Sequence, residues 1–166
     1  MDEFYRAVFL DRDGVINKER TDYVKNIQEL EILPNVAEPI KKLKTAGFLI
    51  VVVTNQSAVN RGFAKHENIK EIHNRIQEFL KRNETLIDAF YYCPHRPDEN
   101  CSCRKPQPGL IIRAAVELKI DLKSSWLIGD NSTDLQAAKS AGCKAIKIGD
   151  GIGLDAAVQL ILESLP

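Results

Sequence analysis

Five short apolar runs rich in β-branched residues, at 7–10, 48–53, 87–92, 126–128 and 145–148, alternate with stretches of helical period, and this alternation limits the possible folds more than any other feature. The helical stretches cover 36–45, closed by Gly47; 67–81, with Ile69, Ile72, Ile76, Phe79 and Leu80 on one face; 110–119; 132–140, closed by Gly142; and 154–164. A strand followed by a helix long enough to cross over brings the chain back parallel to its start. The pattern therefore predicts an α/β fold: a single doubly wound, Rossmann-like parallel sheet of five buried strands with helices on both faces. No repeat, low-complexity stretch or linker interrupts the order, so one domain over residues 1–166 is expected. With 44% hydrophobic residues in 166, that domain can bury a core without disulfide help.

The 23 basic and 23 acidic residues balance, which argues against nucleic acid or an anionic membrane as a partner and leaves a small molecule held by local charge. No apolar run approaches the roughly 20 residues of a membrane span. The opening segment MDEFYRAVFLDRD lacks the basic-then-apolar order of a secretory signal, so a cytoplasmic, monomeric protein is expected. His66 and His73 read as helix-surface residues without a role, and Cys143 as a small buried apolar residue.

In doubly wound sheets ligands bind beyond the carboxyl ends of the strands, so the residues that follow each run carry the functional information. After the first run stands Asp11-Arg12-Asp13-Gly14: either a polar turn, or two carboxylates of which one attacks while the other moves protons. The second run ends in Thr54-Asn55-Gln56-Ser57, an ordinary turn composition that also offers a hydroxyl and N–H groups to an oxyanion. Gly129-Asp130-Asn131-Ser132-Thr133-Asp134 follows the fourth run; helix capping by Asp134 or Ser132 is an adequate reading that leaves Asp130 unexplained. Four carboxylates converging on one edge repel one another unless a cation joins them, and hard oxygen donors suit Mg2+. With Lys105 supplying a positive charge opposite them, the set has the parts of a phosphoryl-transfer site.

Between the third strand and third helix lies Cys93-Pro94-His95, then Cys101-Ser102-Cys103, directly followed by Arg104 and Lys105. Three thiolates and one imidazole make a fully coordinated tetrahedral zinc set, with no open position for catalysis; a disulfide is the competing reading, disfavoured by a reducing compartment and the cramped Cys-x-Cys pair. A structural Zn2+ on Cys93, His95, Cys101 and Cys103 would stiffen the proline-rich loop that bears Lys105.

In Asp11-x-Asp13, Thr54, Lys105 and Gly129-Asp130-x3-Asp134, in that order and each at a predicted strand or loop end, the chain resembles the haloacid dehalogenase-like (HAD) phosphatase superfamily. The resemblance implies that Asp11 is the nucleophile and forms an aspartyl-phosphate, and that Asp13 serves as acid and then base. It implies that Thr54 and Lys105 hold phosphoryl oxygens, and that Asp11, Asp130 and the Asp13 carbonyl bind Mg2+ with Asp134 orienting them. The spans 14–47 and 57–92 leave no room for the cap domain often inserted there, so an open site shaped by residues 17–33 is expected. The knuckle narrows the resemblance to a capless, zinc-containing branch that includes heptose 1,7-bisphosphate and histidinol-phosphate phosphatases. Pro106-Gln107-Pro108-Gly109 and the loop from Gln56 to Gly62 lean toward the heptose group, in which Arg104, Asn55 and Gln56 would meet the substrate. Ala58, Asn60 and Asn131 depart from that group's usual residues. A histidinol-phosphate phosphatase, or a zinc-stabilised module that binds a phosphometabolite without turning it over, are the alternatives.

Overall fold

In the computed structural model, which describes residues 2–166, the first strand β1 (Ala7–Leu10) is buried at every position and lies at the centre of the sheet. The chain continues through α1 (Ala37–Thr45), β2 (Leu49–Asn55), α2 (His66–Arg82), β3 (Ala89–Cys93) and α3 (Gly109–Leu118). It ends with β4 (Trp126–Gly129), α4 (Ser132–Ala141), β5 (Lys144–Lys147) and α5 (Leu154–Glu163). The strand order is β3-β2-β1-β4-β5, and every pairing is parallel. The chain thus builds outward through β2 and β3, then crosses back to place β4 on the other side of β1. Leu10 is in register with Val52 and with Ile128, which aligns the carboxyl ends of the three central strands.

Alternate residues of β1 serve different layers, as the pleat requires. Val8 and Leu10, with Ile50, Val52 and Ile128, pack against Ile40 and Leu43 of α1, Ile72, Ile76 and Leu80 of α2, and Val158 and Ile161 of α5. Ala7 and Phe9, with Val51, Val53 and Leu127, face Leu110, Ile111 and Ala114 of α3 and Ala137 and Ala138 of α4. Because both faces are covered, the central strands read as unbroken apolar runs rather than as alternation. Each fully buried aliphatic side chain contributes about 1.5–3 kcal/mol.

The α/β order and the five parallel strands are those the periodicity predicts, with ends shifted by one or two residues. The expectation of five buried strands fails at the rims: Lys144 and Lys147 of β5 are exposed, and four of the five residues of β3 are only half-buried. Strand order is not written in local sequence, and an outer strand has a neighbour on one side only; the lysines there also discourage pairing with another chain. His73 is a second correction. It lies four residues after Ile69 and three before Ile76, on the apolar stripe of α2, and is buried, whereas His66 at the first turn is exposed. Cys143 is buried against the α3 and α4 face as expected. Among the described residues no cap domain is inserted, and no helix is long and apolar enough to cross a membrane.

Candidate active site

The carboxyl ends of β1, β2 and β4 converge on the ammonium of Lys105. Its Nζ donates to Asp134 Oδ1 at 2.6 Å and to the Val53 carbonyl at 2.9 Å, and lies 3.0 Å from Asp11 Oδ1. Lys105 is almost wholly buried; burial alone would lower its pKa, but Asp11 and Asp134 more than reverse that and raise it. Asp11 stands the other way round: burial, with help from the Asp134 charge, pushes it up to about 7 in spite of Lys105. Asp134 does two jobs, since its Oδ2 also accepts the Asn131 N–H at 3.1 Å and so closes the first turn of α4. The cap position is therefore Asn131, one residue before Ser132.

Asp13 points into a separate set of donors. Arg12 Nη2 reaches its Oδ1 at 2.9 Å, Asn17 Nδ2 the same oxygen at 2.8 Å, and Gln56 Nε2 its Oδ2 at 2.8 Å. Burial works against ionisation of Asp13, but the Arg12 charge and these hydrogen bonds outweigh it and hold the carboxyl below its usual range. Two acids two residues apart are thereby driven in opposite directions.

Asp11, Asp130 and Asp134 offer oxygens within 4.8 Å of one another. Three carboxylates facing one ammonium leave an excess of negative charge, and the donors are all hard oxygens, so the cluster fits a divalent cation such as Mg2+. Two glycines make the cluster possible. A Cβ on Gly14, which has φ +87°, would fall 2.0 Å from Asp130 Oδ2, and a Cβ on Gly129 would fall 2.3 Å from Asp134 Oδ2. The loop after β1 can therefore lie directly against the Asp130 carboxylate only without a side chain.

The knuckle gathers four further donors. Cys93 Sγ lies 3.0 Å from Cys103 Sγ and 3.6 Å from Cys101 Sγ, and His95 Nδ1 lies 3.2 Å from the sulfurs of both Cys93 and Cys103. Three soft sulfurs and an imidazole nitrogen within 4.8 Å of one another could hold a metal ion, and all four cysteines are free of disulfides. Burial opposes ionisation of Cys101, but the backbone N–H groups of Arg104 and Cys103 bring its thiol down to about 7. The Arg104 N–H lies 3.3 Å from the Cys101 sulfur, and Arg104 Nη1 donates to the His95 carbonyl at 3.3 Å, which ties the start of the Lys105 segment to the knuckle.

A second tie comes from β2. Asn55 Nδ2 donates to the Lys105 carbonyl at 3.1 Å while Asn55 Oδ1 accepts the Lys105 N–H at 3.0 Å. Both ends of the amide are used on one residue's backbone, so Lys105 is pinned to the strand tip as well as to the knuckle.

These groups border one cleft of about 350 Å³. Asp11, Asp13, Asn55, Gln56, Arg104, Lys105 and Asp134 line it, as do Asn131, Thr133 and Ser57. Thr54 and Asp130 do not: Thr54 is buried behind Gln56, whose Nε2 lies 2.9 Å from its Oγ1, and Asp130 sits against Gly14. The opposite wall is the stretch 17–33 expected to shape the site, through Glu19, Arg20, Thr21, Tyr23 and Val24. Arg20 and Lys25 both pair with Asp22 and Glu29, at 2.9–3.1 Å, which draws that loop together. Sequence reasoning missed Asn17, buried beside Asp13, and Arg12, whose place between the two aspartates gave no sign that its side chain turns inward.

A family model described as HAD-hydrolase-like matches residues 102–163. The chain is 36% identical over 147 residues to a D-glycero-beta-D-manno-heptose-1,7-bisphosphate 7-phosphatase of Pseudomonas aeruginosa, covering 89% of this chain and 83% of that one. It is 41% identical over 140 residues to a protein of the same name from Helicobacter pylori, covering 84% and 80%. Among solved structures it is similar to D,D-heptose 1,7-bisphosphate phosphatase from B. bronchiseptica complexed with magnesium and phosphate, with TM-score 0.87 and 31% identity over 96% of this chain and 99% of that one.

Proposed function

Since the chain belongs to the HAD-like phosphatase family, we propose that it removes the 7-phosphate of D-glycero-D-manno-heptose 1,7-bisphosphate in a Mg2+-dependent reaction through an aspartyl-phosphate on Asp11. The observation that carries the residue roles is the separation of the two acids: Asp11 Oδ1 lies 3.0 Å from the Lys105 ammonium, while Asp13 is held by Arg12, Asn17 and Gln56. An attacking carboxylate and a proton-transfer carboxylate need different surroundings, and these have them.

A carboxylate oxygen of Asp11 attacks phosphorus, and the bond to the sugar oxygen breaks as that oxygen takes a proton from Asp13. Asp13 then takes a proton from water, whose oxygen attacks the same phosphorus; phosphate leaves and the Asp11 carboxylate is restored. Lys105 holds phosphoryl oxygens, with the Thr54 hydroxyl joining it where Gln56 Nε2 turns off its Oγ1, and Arg104, Gln56 and Asn55 border the sugar and its second phosphate. The resting bias of the acids is opposite to what the first step needs, because Asp11 is raised and Asp13 lowered. A bound phosphate dianion corrects the second by favouring the protonated form of its neighbour Asp13. Asp11, Asp130 and the Asp13 carbonyl would hold Mg2+, with Asp134 orienting them, and the bound ion would supply positive charge that keeps Asp11 ionised and offsets the transferred group. Cys93, His95, Cys101 and Cys103 would hold a structural Zn2+. Residues 1–166 would act as one monomeric cytoplasmic domain, the balanced charge offering neither nucleic acid nor an anionic membrane a surface to bind.

Phosphate release from heptose 1,7-bisphosphate with Mg2+ tests the reading. Asp11→Asn should abolish release while the protein still folds, and retained turnover would sink the nucleophile assignment. Histidinol phosphate is the comparison substrate: a kcat/KM preference for it of about tenfold, roughly 1.4 kcal/mol in the transition state, reverses the substrate assignment. Tight binding of sugar phosphates without turnover of any would leave only a binding module.

A further inference from the structure

Arg12 is the largest fully buried side chain among the described residues. A guanidinium cannot give up its charge, so burying it requires partners for its N–H groups. It has two side-chain partners. Nη2 meets Asp13 Oδ1 at 2.9 Å, Nη1 meets His73 Nε2 at 3.2 Å, and Nε has none. Arginine only donates, so His73 Nε2 must present its lone pair and the imidazole proton must sit on Nδ1. His73 is therefore a neutral acceptor. Burial, and then the Arg12 charge, push it down to about 3, which agrees with that reading.

The histidine is itself fixed. Its ring stacks on Phe90 at 4.5 Å and 16°, and meets Tyr92 edge-on at 6.0 Å and 74°. Both aromatics belong to β3, so α2 and β3 together set the imidazole, the imidazole sets one prong of the guanidinium, and the other prong sets Asp13. A carboxylate in place of His73 would share the charge of Arg12; a neutral acceptor leaves Asp13 as its only anionic side-chain partner among the hydrogen bonds described.

We propose that His73 is a positioning residue for the phosphatase reaction: as a neutral acceptor it aims Arg12 at Asp13 and so fixes the carboxyl that meets the leaving oxygen. The inference rests on the reading of Asp13 as acid to the leaving group. It separates His73 from a histidine that only fills space, because its effect must follow the need for that acid.

The test uses His73→Leu, which keeps the bulk and removes the acceptor, and His73→Gln, whose amide oxygen reaches the place of Nε2. Values of kcat/KM are measured with Mg2+ on an alkyl phosphate, the sugar phosphate, and on p-nitrophenyl phosphate, whose phenolate leaves without a proton. General acid catalysis is worth about 100- to 10,000-fold, so mispositioning the acid in His73→Leu should cost about tenfold or more on the alkyl phosphate and less than about threefold on the aryl one. His73→Gln should recover to within about threefold of the native value on the alkyl phosphate. Equal losses on both substrates, no loss on either, or a His73→Gln variant no better than His73→Leu would overturn the proposal. Where melting shows that His73→Leu folds poorly, His73→Asn replaces it, because its shorter amide reaches only the place of Nδ1. Asp11→Asn and Asp13→Asn run alongside. Turnover by Asp11→Asn, or an Asp13→Asn variant that loses equally on both substrates, breaks the site reading itself. If both behave as assigned and His73→Leu shows no split, only the role of His73 falls.

Discussion

The protein gathers two sets of potential metal donors by opposite means. The knuckle draws Cys93, His95, Cys101 and Cys103 from eleven consecutive positions, and its donors touch because the loop turns back on itself. The carboxylate cluster draws Asp11 and Asp130 from just beyond β1 and β4, and Asp134 from α4, brought within 4.8 Å by the pairing of two strands that are far apart in sequence. The difference teaches where each centre keeps its rigidity. A local loop without a core depends on what its ligands bind, whereas strand tips are already fixed by the sheet and can bear unbalanced charge.

The sharpest way to break the comparison is to disarm the carboxylate cluster without disturbing the fold. Asp11→Asn should lower phosphate release by at least about a thousandfold, as loss of a nucleophile does, with far-UV circular dichroism and melting temperature kept or raised. A cooperative loss of structure would mean that the cluster supports the fold after all. The next largest effect is on the knuckle. Removing its metal with a thiol-competing chelator, or making Cys101→Ser, should destabilise the protein by several kcal/mol and lower activity even with Mg2+ in excess. Withdrawing Mg2+ should stop turnover reversibly and leave the cooperative fold intact by circular dichroism. Equal melting curves with and without the knuckle metal would erase the proposed distinction.

A smaller effect tests the second tie on Lys105. Asn55→Ala removes two hydrogen bonds to the Lys105 backbone, at a cost of about 1–3 kcal/mol in stability, and should reduce kcat more than it changes KM. A variant with native kcat would leave the knuckle as the sole support for Lys105. The last effect, which vanishes once Mg2+ binds, is in pH. Without Mg2+, Asp11 titrates near 7 when folded and near 3.8 when unfolded, so the native state holds the extra proton between those values. Stability of the metal-free native protein relative to Asp11→Asn should fall as pH rises across that window, by at most about 1.4 kcal/mol per pH unit, and Mg2+ should remove the trend. Parallel denaturation curves at pH 4, 5.5 and 7 measure it.

Legibility followed the same division. The knuckle stands out because its spacing is local, and Asp11, Asp13 and Asp130 because a parallel sheet gives strand ends a known meaning, whereas Lys105, in the loop between β3 and α3, was singled out by the resemblance. Helices and strands were readable from period alone. The support around the site was not. Arg12 carried no reading beyond its place between two aspartates, His73 looked like an exposed residue of a charged helix, and Asn55 like a turn residue facing the ligand. His73 meets Arg12 across 61 residues and Asn55 meets Lys105 across 50, contacts made only by the tertiary fold. The exposed lysines of β5 were missed for a related reason: which strand becomes a rim depends on the order β3-β2-β1-β4-β5, and local pattern does not encode that order.

Gly14 has a consequence of another kind. Its missing side chain lets the loop from β1 rest on Asp130 at a distance that even a methyl group would not tolerate. The halves of the site contributed by the start and the end of the chain are therefore fitted face to face, like two surfaces ground together. Variation in one must be answered in the other, so a library that randomises both loops should yield active clones mainly in matched pairs.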